Sequence, residues 1–263
     1  MKNKRVNTLL CIITLLCISH QVFAIAPFFS NPVGTIILDA GHGGKDPGAV
    51  GLYKNEQGEQ MQLYEKDITL SLVLQIQEIL TSLYPSIDII LTRDNDSYVS
   101  LADRAEIANS CPYKENMSKI FISIHANAST VLSANGYEIW HLRTSVKKQF
   151  YTPELNETGI TNLGEQMNAA LNNELDSSTE LLANSIETAL TSSLPDSICD
   201  RGVKKSLFYV LRYTQMPAVL VEAGFITNPE ERERLMTPLY QEQLSLAVSS
   251  GIAAYIESVR EKE

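Results

Sequence analysis

Four short runs of the chain are apolar at nearly every position: 35–40 (TIILDA), 87–92 (IDIILT), 119–125 (KIFISIH) and 217–223 (PAVLVEA). Continuous rather than alternating apolarity is what a strand buried on both faces requires. Between the first two runs, residues 65–84 place Leu72, Ile76, Ile79, Leu80 and Leu83 at helical spacing before Pro85. A strand-helix-strand crossover follows. Further amphipathic helices are predicted over 101–110, 178–194 and 239–259, the last with Leu244, Ala247, Ile252 and Ile256 turned inward. With GYEIWHL (136–142) and SLFYVL (206–211) as further strands, the pattern predicts an α/β fold. It is a single domain whose mixed, mostly parallel sheet of about six strands carries helices on both faces.

Two stretches depart from this pattern. Residues 143–177 are polar and rich in asparagine, with a weak helical pattern near 162–175, and read as an insertion. Residues 1–24 carry Lys2, Lys4 and Arg5, then an apolar core too short to span a bilayer, then Val22-Phe23-Ala24. This is the form of a secretory signal peptide, which predicts an exported protein of the periplasm or cell envelope, with 25–263 as its working domain. A lipid anchor on Cys17 is the rival reading, disfavoured because TLLCI lacks small residues before the cysteine.

Removing 1–24 takes the net charge from −10 to −13, which argues against nucleic acid or an anionic lipid surface as partner. Only Cys111 and Cys199 then remain, open to pairing but too few for a disulfide scaffold. The remaining length, about 240 residues, suits one monomeric domain rather than two.

Candidate chemistry lies where the apolar runs end. His42, Arg93, His125 and Glu222 all fall at or just past the ends of predicted strands, where open α/β sheets bind ligands. The glycines around His42 suggest a phosphate cradle, but Asp39 and Asp46 stand where the nucleotide motifs need other residues. Two imidazoles and a carboxylate instead make a zinc site with an open position, and Glu65, opening the helix that returns from the His42 loop, is the candidate third ligand. Zinc held in this way acidifies water and polarises a carbonyl. Glu222, ending a buried run, has the desolvated setting that raises a carboxylate pKa and suits a proton shuttle. Each residue alone has a plainer reading: His42 as a hydrogen-bonded turn residue, Glu65 as a helix-start acid, Glu222 as a buried acid paired with Arg93 or Arg104. The glycines beside His42 are expected to turn the chain sharply and leave room for substrate above the metal.

The segments ILDAGHGGKDPGAVG, YEKDITL, LTRDNDSYVSLADRAEIAN, FISIHANAS, GYEIW and RGVKKSLFYVLRYTQMPAVLVEAGFITNPEE resemble, in order and spacing, the zinc-dependent N-acetylmuramoyl-L-alanine amidases of the type-3 family. The resemblance spans about 35–258, apart from 143–177. It implies hydrolysis of the amide between N-acetylmuramic acid and L-alanine in peptidoglycan, for wall remodelling, cell separation or recycling. It also implies Zn2+ on His42, Glu65 and His125, with Glu222 as the catalytic acid-base. In some members of the family an insertion at the place of 143–177 plugs the site until an activator protein displaces it, which makes Glu165 or Glu174 a candidate plug; a loose surface insertion is the alternative. Three other functions remain open at this level. Ser145 and Lys148 satisfy S-x-x-K, and Ser133 with Asn135 satisfies S-x-N, as in a serine D-Ala carboxypeptidase, though K-T-G is missing and the order is reversed. A zinc peptidase cutting within the stem peptide, or a non-catalytic wall-binding regulator, would use the same fold.

Overall fold

The computed structural model describes residues 28–150 and 161–261; the predicted signal peptide and residues 151–160 of the predicted insertion lie outside that range. Along it run the strands β1 (Val33–Ala40), β2 (Val50–Lys54), β3 (Gln60–Tyr64), β4 (Asp88–Leu91), β5 (Ser118–Asn127), β6 (Tyr137–Leu142), β7 (Asp200–Ser206) and β8 (Ala218–Phe225). The helices are α1 (Glu65–Leu83), α2 (Leu101–Ser110), α3 (Thr161–Ser193), α4 (Tyr209–Tyr213), α5 (Pro229–Leu235) and α6 (Pro238–Arg260).

Six strands form one sheet in the order β4-β1-β5-β8-β6-β7. The first four are mutually parallel; β6 runs antiparallel to β8 and parallel to β7. Every residue of β1 is buried, as its near-continuous apolarity demands. Alternate side chains divide the core. Ile36, Leu38, Ile122, Val219 and Val221 share one cluster with α1, α3 and α6, whereas Ile37, Phe121 and Leu220 join a smaller cluster with Ala108 of α2, Val210 and Leu211 of α4, and Met216 on the other face. The second face is therefore thinly covered, and the site opens on it.

Local chemistry marks the element ends. Ser100 Oγ accepts the Asp103 N–H to start α2, and Asn228 caps α5 ahead of Pro229. None of the described helices is long and apolar enough to cross a membrane.

Two expectations need correction. SLFYVL is not a strand: β7 is the preceding Asp200–Ser206, and Tyr209–Tyr213 makes a single helical turn. An edge strand buries little of itself, so β7 carries lysines and arginine instead of an apolar run. The helix expected over 178–194 begins at Thr161, so residue 177 is not a structural boundary. Its polar first half is anchored by Leu171 and Leu175, which pack on Phe29. The hairpin β2–β3, with exposed Leu52 and Met61, has no apolar pattern to reveal it. Cys111 and Cys199 are both free thiols.

Candidate active site

Glu65 opens α1 directly from β3, and its carboxylate is the centre of the site. Oε1 lies 3.1 Å from His42 Nε2 and 2.9 Å from His125 Nδ1, while Oε2 accepts the Ala49 N–H at 2.8 Å. The candidate ligand atoms of His42, Glu65 and His125 all fall within 4.8 Å of one another. His42 Nδ1 is 2.9 Å from Asp46 Oδ2, which orients the ring and leaves Nε2 toward Glu65. Burial opposes ionisation of Glu65, but hydrogen bonds and charge from His125 and His42 outweigh it and hold the carboxyl well below its usual range. The same contacts overcome the burial of the two imidazoles and raise both above 6.5. One acid and two imidazoles so closely placed have the donor chemistry of a three-ligand metal site.

The backbone bringing His42 here is unusual. His42 adopts φ 60°, a left-handed conformation that a side chain disfavours, and Arg104 Nη2 donates to its carbonyl at 2.6 Å. Asp39, wholly buried at the end of β1, accepts from Arg104 Nη1, Thr92 Oγ1 and Ser123 Oγ, each at 2.6 Å. Arg93 donates to the carbonyls of Ala40 and Gly41 at 2.9 and 2.8 Å. These two arginines brace the loop from beneath; neither pairs with Glu222. The flanking glycines serve close packing: a Cβ on Gly41 would lie 2.4 Å from the His125 ring, and one on Gly43 2.1 Å from the Ser97 carbonyl. The space expected for substrate at these two glycines is filled by the protein itself.

Glu222 stands opposite His125 in the β5–β8 register and opposite Glu138 in β6–β8. Its Oε2 is sealed from solvent without a hydrogen-bond partner. Burial, helped by Glu65 and Glu138 and opposed by His125 and His42, pushes its carboxyl up to about 7.

The chain as a whole has relatives of known class. Residues 36–254 match the family profile described as N-acetylmuramoyl-L-alanine amidase, type 3. The chain belongs to that family. Among curated relatives, the amidase LytC of Bacillus subtilis is 31% identical over 88% of this chain, which spans 38% of LytC. The crystal structure of an amidase from Clostridium difficile 630 matches with a TM-score of 0.63 at 29% identity, over 86% of this chain and 98% of that one. The CwlD amidase of Clostridioides difficile, solved in complex with the GerS lipoprotein, matches with a TM-score of 0.62 at 27% identity, over 86% of this chain and 99% of that one.

Against an amidase frame, the remaining candidates fall into place. Glu174 is not a plug: its Oε1 accepts the N–H groups of Phe29 and Ser30 at 2.6 and 2.8 Å, tying α3 to the N-terminal segment. Glu165 is exposed on the same helix and belongs to no metal-ligand cluster among the described residues. Lys148 donates to the carbonyls of Leu211 and Thr214 at the end of α4, while Ser145 is exposed, so the S-x-x-K pair is not assembled. Asp46 and Glu138 were missed by the sequence reading. The signals were an acid four residues after His42, on a tight loop, and a lone acid inside an otherwise apolar strand.

Proposed function

We propose that this chain is an N-acetylmuramoyl-L-alanine amidase that hydrolyses the amide joining N-acetylmuramic acid to L-alanine in peptidoglycan, with His42, Glu65 and His125 holding zinc and Glu222 as the catalytic residue. The observation that carries the site assignment is the convergence of three ligand atoms beside a carboxylate left unpartnered. The nitrogen and oxygen donors fit zinc. Zinc in such a site supplies Lewis acidity toward the amide carbonyl and toward water. Asp46 keeps the His42 proton on Nδ1, so that Nε2 is free to ligate. Glu222 accepts the proton of the attacking water and hands it to the departing alanine nitrogen. A carboxyl pushed up to about 7 is matched to both halves of that transfer.

The charged and apolar N-terminal stretch supports export to the cell envelope, with 1–24 removed, and the chain acts there as a monomer. CwlD's complex with a lipoprotein supports control by a protein partner. The test is mass spectrometry of peptidoglycan digested by purified protein with zinc supplied. Free stem peptides beginning with L-alanine are expected, lost on chelation and restored by zinc; cuts only within the stem would mean a peptidase instead, and zinc binding without any cut a regulator.

A further inference from the structure

One transverse row of the sheet runs from His125 through Glu222 to Glu138, each opposite the next in register. It continues onto β7 through an irregularity. Tyr137 pairs with Asp200 and Ile139 with Val203, so Glu138 faces both Arg201 and Gly202. Two residues against one is a β-bulge, with Gly202 in the positive φ of 76°. Arg201 Nε reaches Glu138 Oε1 at 2.5 Å, and Lys204 Nζ reaches the same oxygen at 2.7 Å. Asn127 Nδ2 and Trp140 Nε1 donate to Oε2 at 3.1 and 2.9 Å. Glu138, only 3% exposed, is thus fully satisfied.

Burial of one carboxylate does not call for two cations. Arg201 and Lys204 are 34% and 30% exposed, and they leave a local positive charge one strand from Glu222 on a chain whose net charge is −10. Lys204 lies 5.3 Å from the Trp140 ring centre, Trp140 packs edge-on against Phe208, and Arg201 lies 5.1 Å from the Phe225 ring centre. Arg201 spends Nε on Glu138 and makes a long 3.5 Å contact from Nη1 to the Asn135 carbonyl, so part of its five-donor fork remains for a ligand. A guanidinium fork pre-aimed by a buried acid is suited to a carboxylate.

We propose that Arg201 and Lys204, held by Glu138, form a subsite for a carboxylate of the stem peptide. The inference rests on the amidase reading, which identifies the substrate. Within that substrate the choice of occupant follows from charge: N-acetylated sugars whose lactyl group is amidated are neutral, whereas the peptide beyond L-alanine carries free carboxylates. The subsite therefore grips the departing peptide and sets which stems are accepted.

The test uses the zinc-loaded protein on two soluble muropeptides, one with free stem carboxylates and one with them amidated. Wild type is expected to show a KM about tenfold lower for the free acid, with similar kcat, for one charge-assisted contact. Arg201→Ala and Lys204→Met should raise KM for the free acid about tenfold and leave the amidated substrate within twofold, while Arg201→Lys recovers part of the loss. Added salt should narrow the preference in wild type and not in the variants. Thermal midpoint and zinc content are measured for each; Lys204→Met keeps the Arg201–Glu138 pair and decides the matter should Arg201→Ala fail to fold. No wild-type preference, equal losses on both substrates, or an effect confined to kcat overturns the subsite. Cleavage of neither substrate by wild type instead overturns the amidase reading, and the subsite with it.

Discussion

Arg104 Nη1 stands 2.6 Å from Asp39 Oδ1 with both side chains shut away from solvent, and the same guanidinium holds the His42 carbonyl. A buried ion pair thus secures the strained backbone of a candidate metal ligand. Burial opposes the charge on Asp39, yet Arg104, Ser123 and Thr92 outweigh it and lower its pKa.

Breaking that pair by Arg104→Ala should cost about 3–5 kcal/mol, because it leaves a buried carboxylate uncompensated. Urea unfolding at neutral pH gives the loss, and zinc titration of the folded fraction should show weaker binding as His42 loses its brace. Unchanged zinc affinity would separate the brace from the site.

The ligand and acid-base roles separate by metal content. His42→Ala and Glu65→Ala are expected to lose zinc and activity together, whereas Glu222→Gln keeps zinc and loses turnover by at least about a hundredfold, the scale of acid-base catalysis. Equal zinc loss in all three would contradict the assignment. The carboxylates beside them raise the pKa of both imidazoles against their burial, so protons compete with the metal and zinc affinity should fall as pH is lowered.

Glu222 also makes a stability prediction for the metal-free protein. Its pKa is raised from 4.5 unfolded to about 7 folded, so between those values the folded state binds the extra proton. Stability contributed by the group is full below 4.5 and declines as pH rises through about 7. Glu222→Gln should therefore unfold at higher urea than wild type at pH 8, by a difference on the order of 1–3 kcal/mol, and show little difference at pH 4. An equal difference at both pH values would refute the burial account.

For Glu174, the expectation is structural. Glu174→Ala should destabilise by about 2 kcal/mol through loss of its bonds to Phe29 and Ser30, without raising activity. Activation in the soluble assay would revive the plug.

The legible parts of the fold were those with one dominant physical cause. Continuous apolarity located β1, β5 and β8 because burial on both faces admits little else, and β4 although it is a half-buried edge strand. His42, His125 and Glu222 were legible because parallel strands deliver their ends to one place, and Glu65 because it is the acid that opens the helix returning from the His42 loop. β7 was not, since an edge strand answers to its neighbour's charge, here Glu138, and that acid lies more than sixty residues earlier. The polar half of α3 was obscured for a similar reason: its partners Phe28, Phe29 and Phe150 are distant in the chain, so its own pattern is thin. Arg104, a candidate partner for Glu222 in the sequence, is paired instead with Asp39 at the end of β1.

The extra residue in β7 separates what the enzyme recognises from how it hydrolyses. Deleting Gly202 would restore a straight ladder, set Arg201 alone across from Glu138, and so change the reach and aim of its guanidinium. His42, Glu65, His125 and Glu222 sit on other elements and keep their places. Peptide preference is thus open to change by insertion or deletion at one rim of the sheet, while the hydrolytic centre is inherited unaltered.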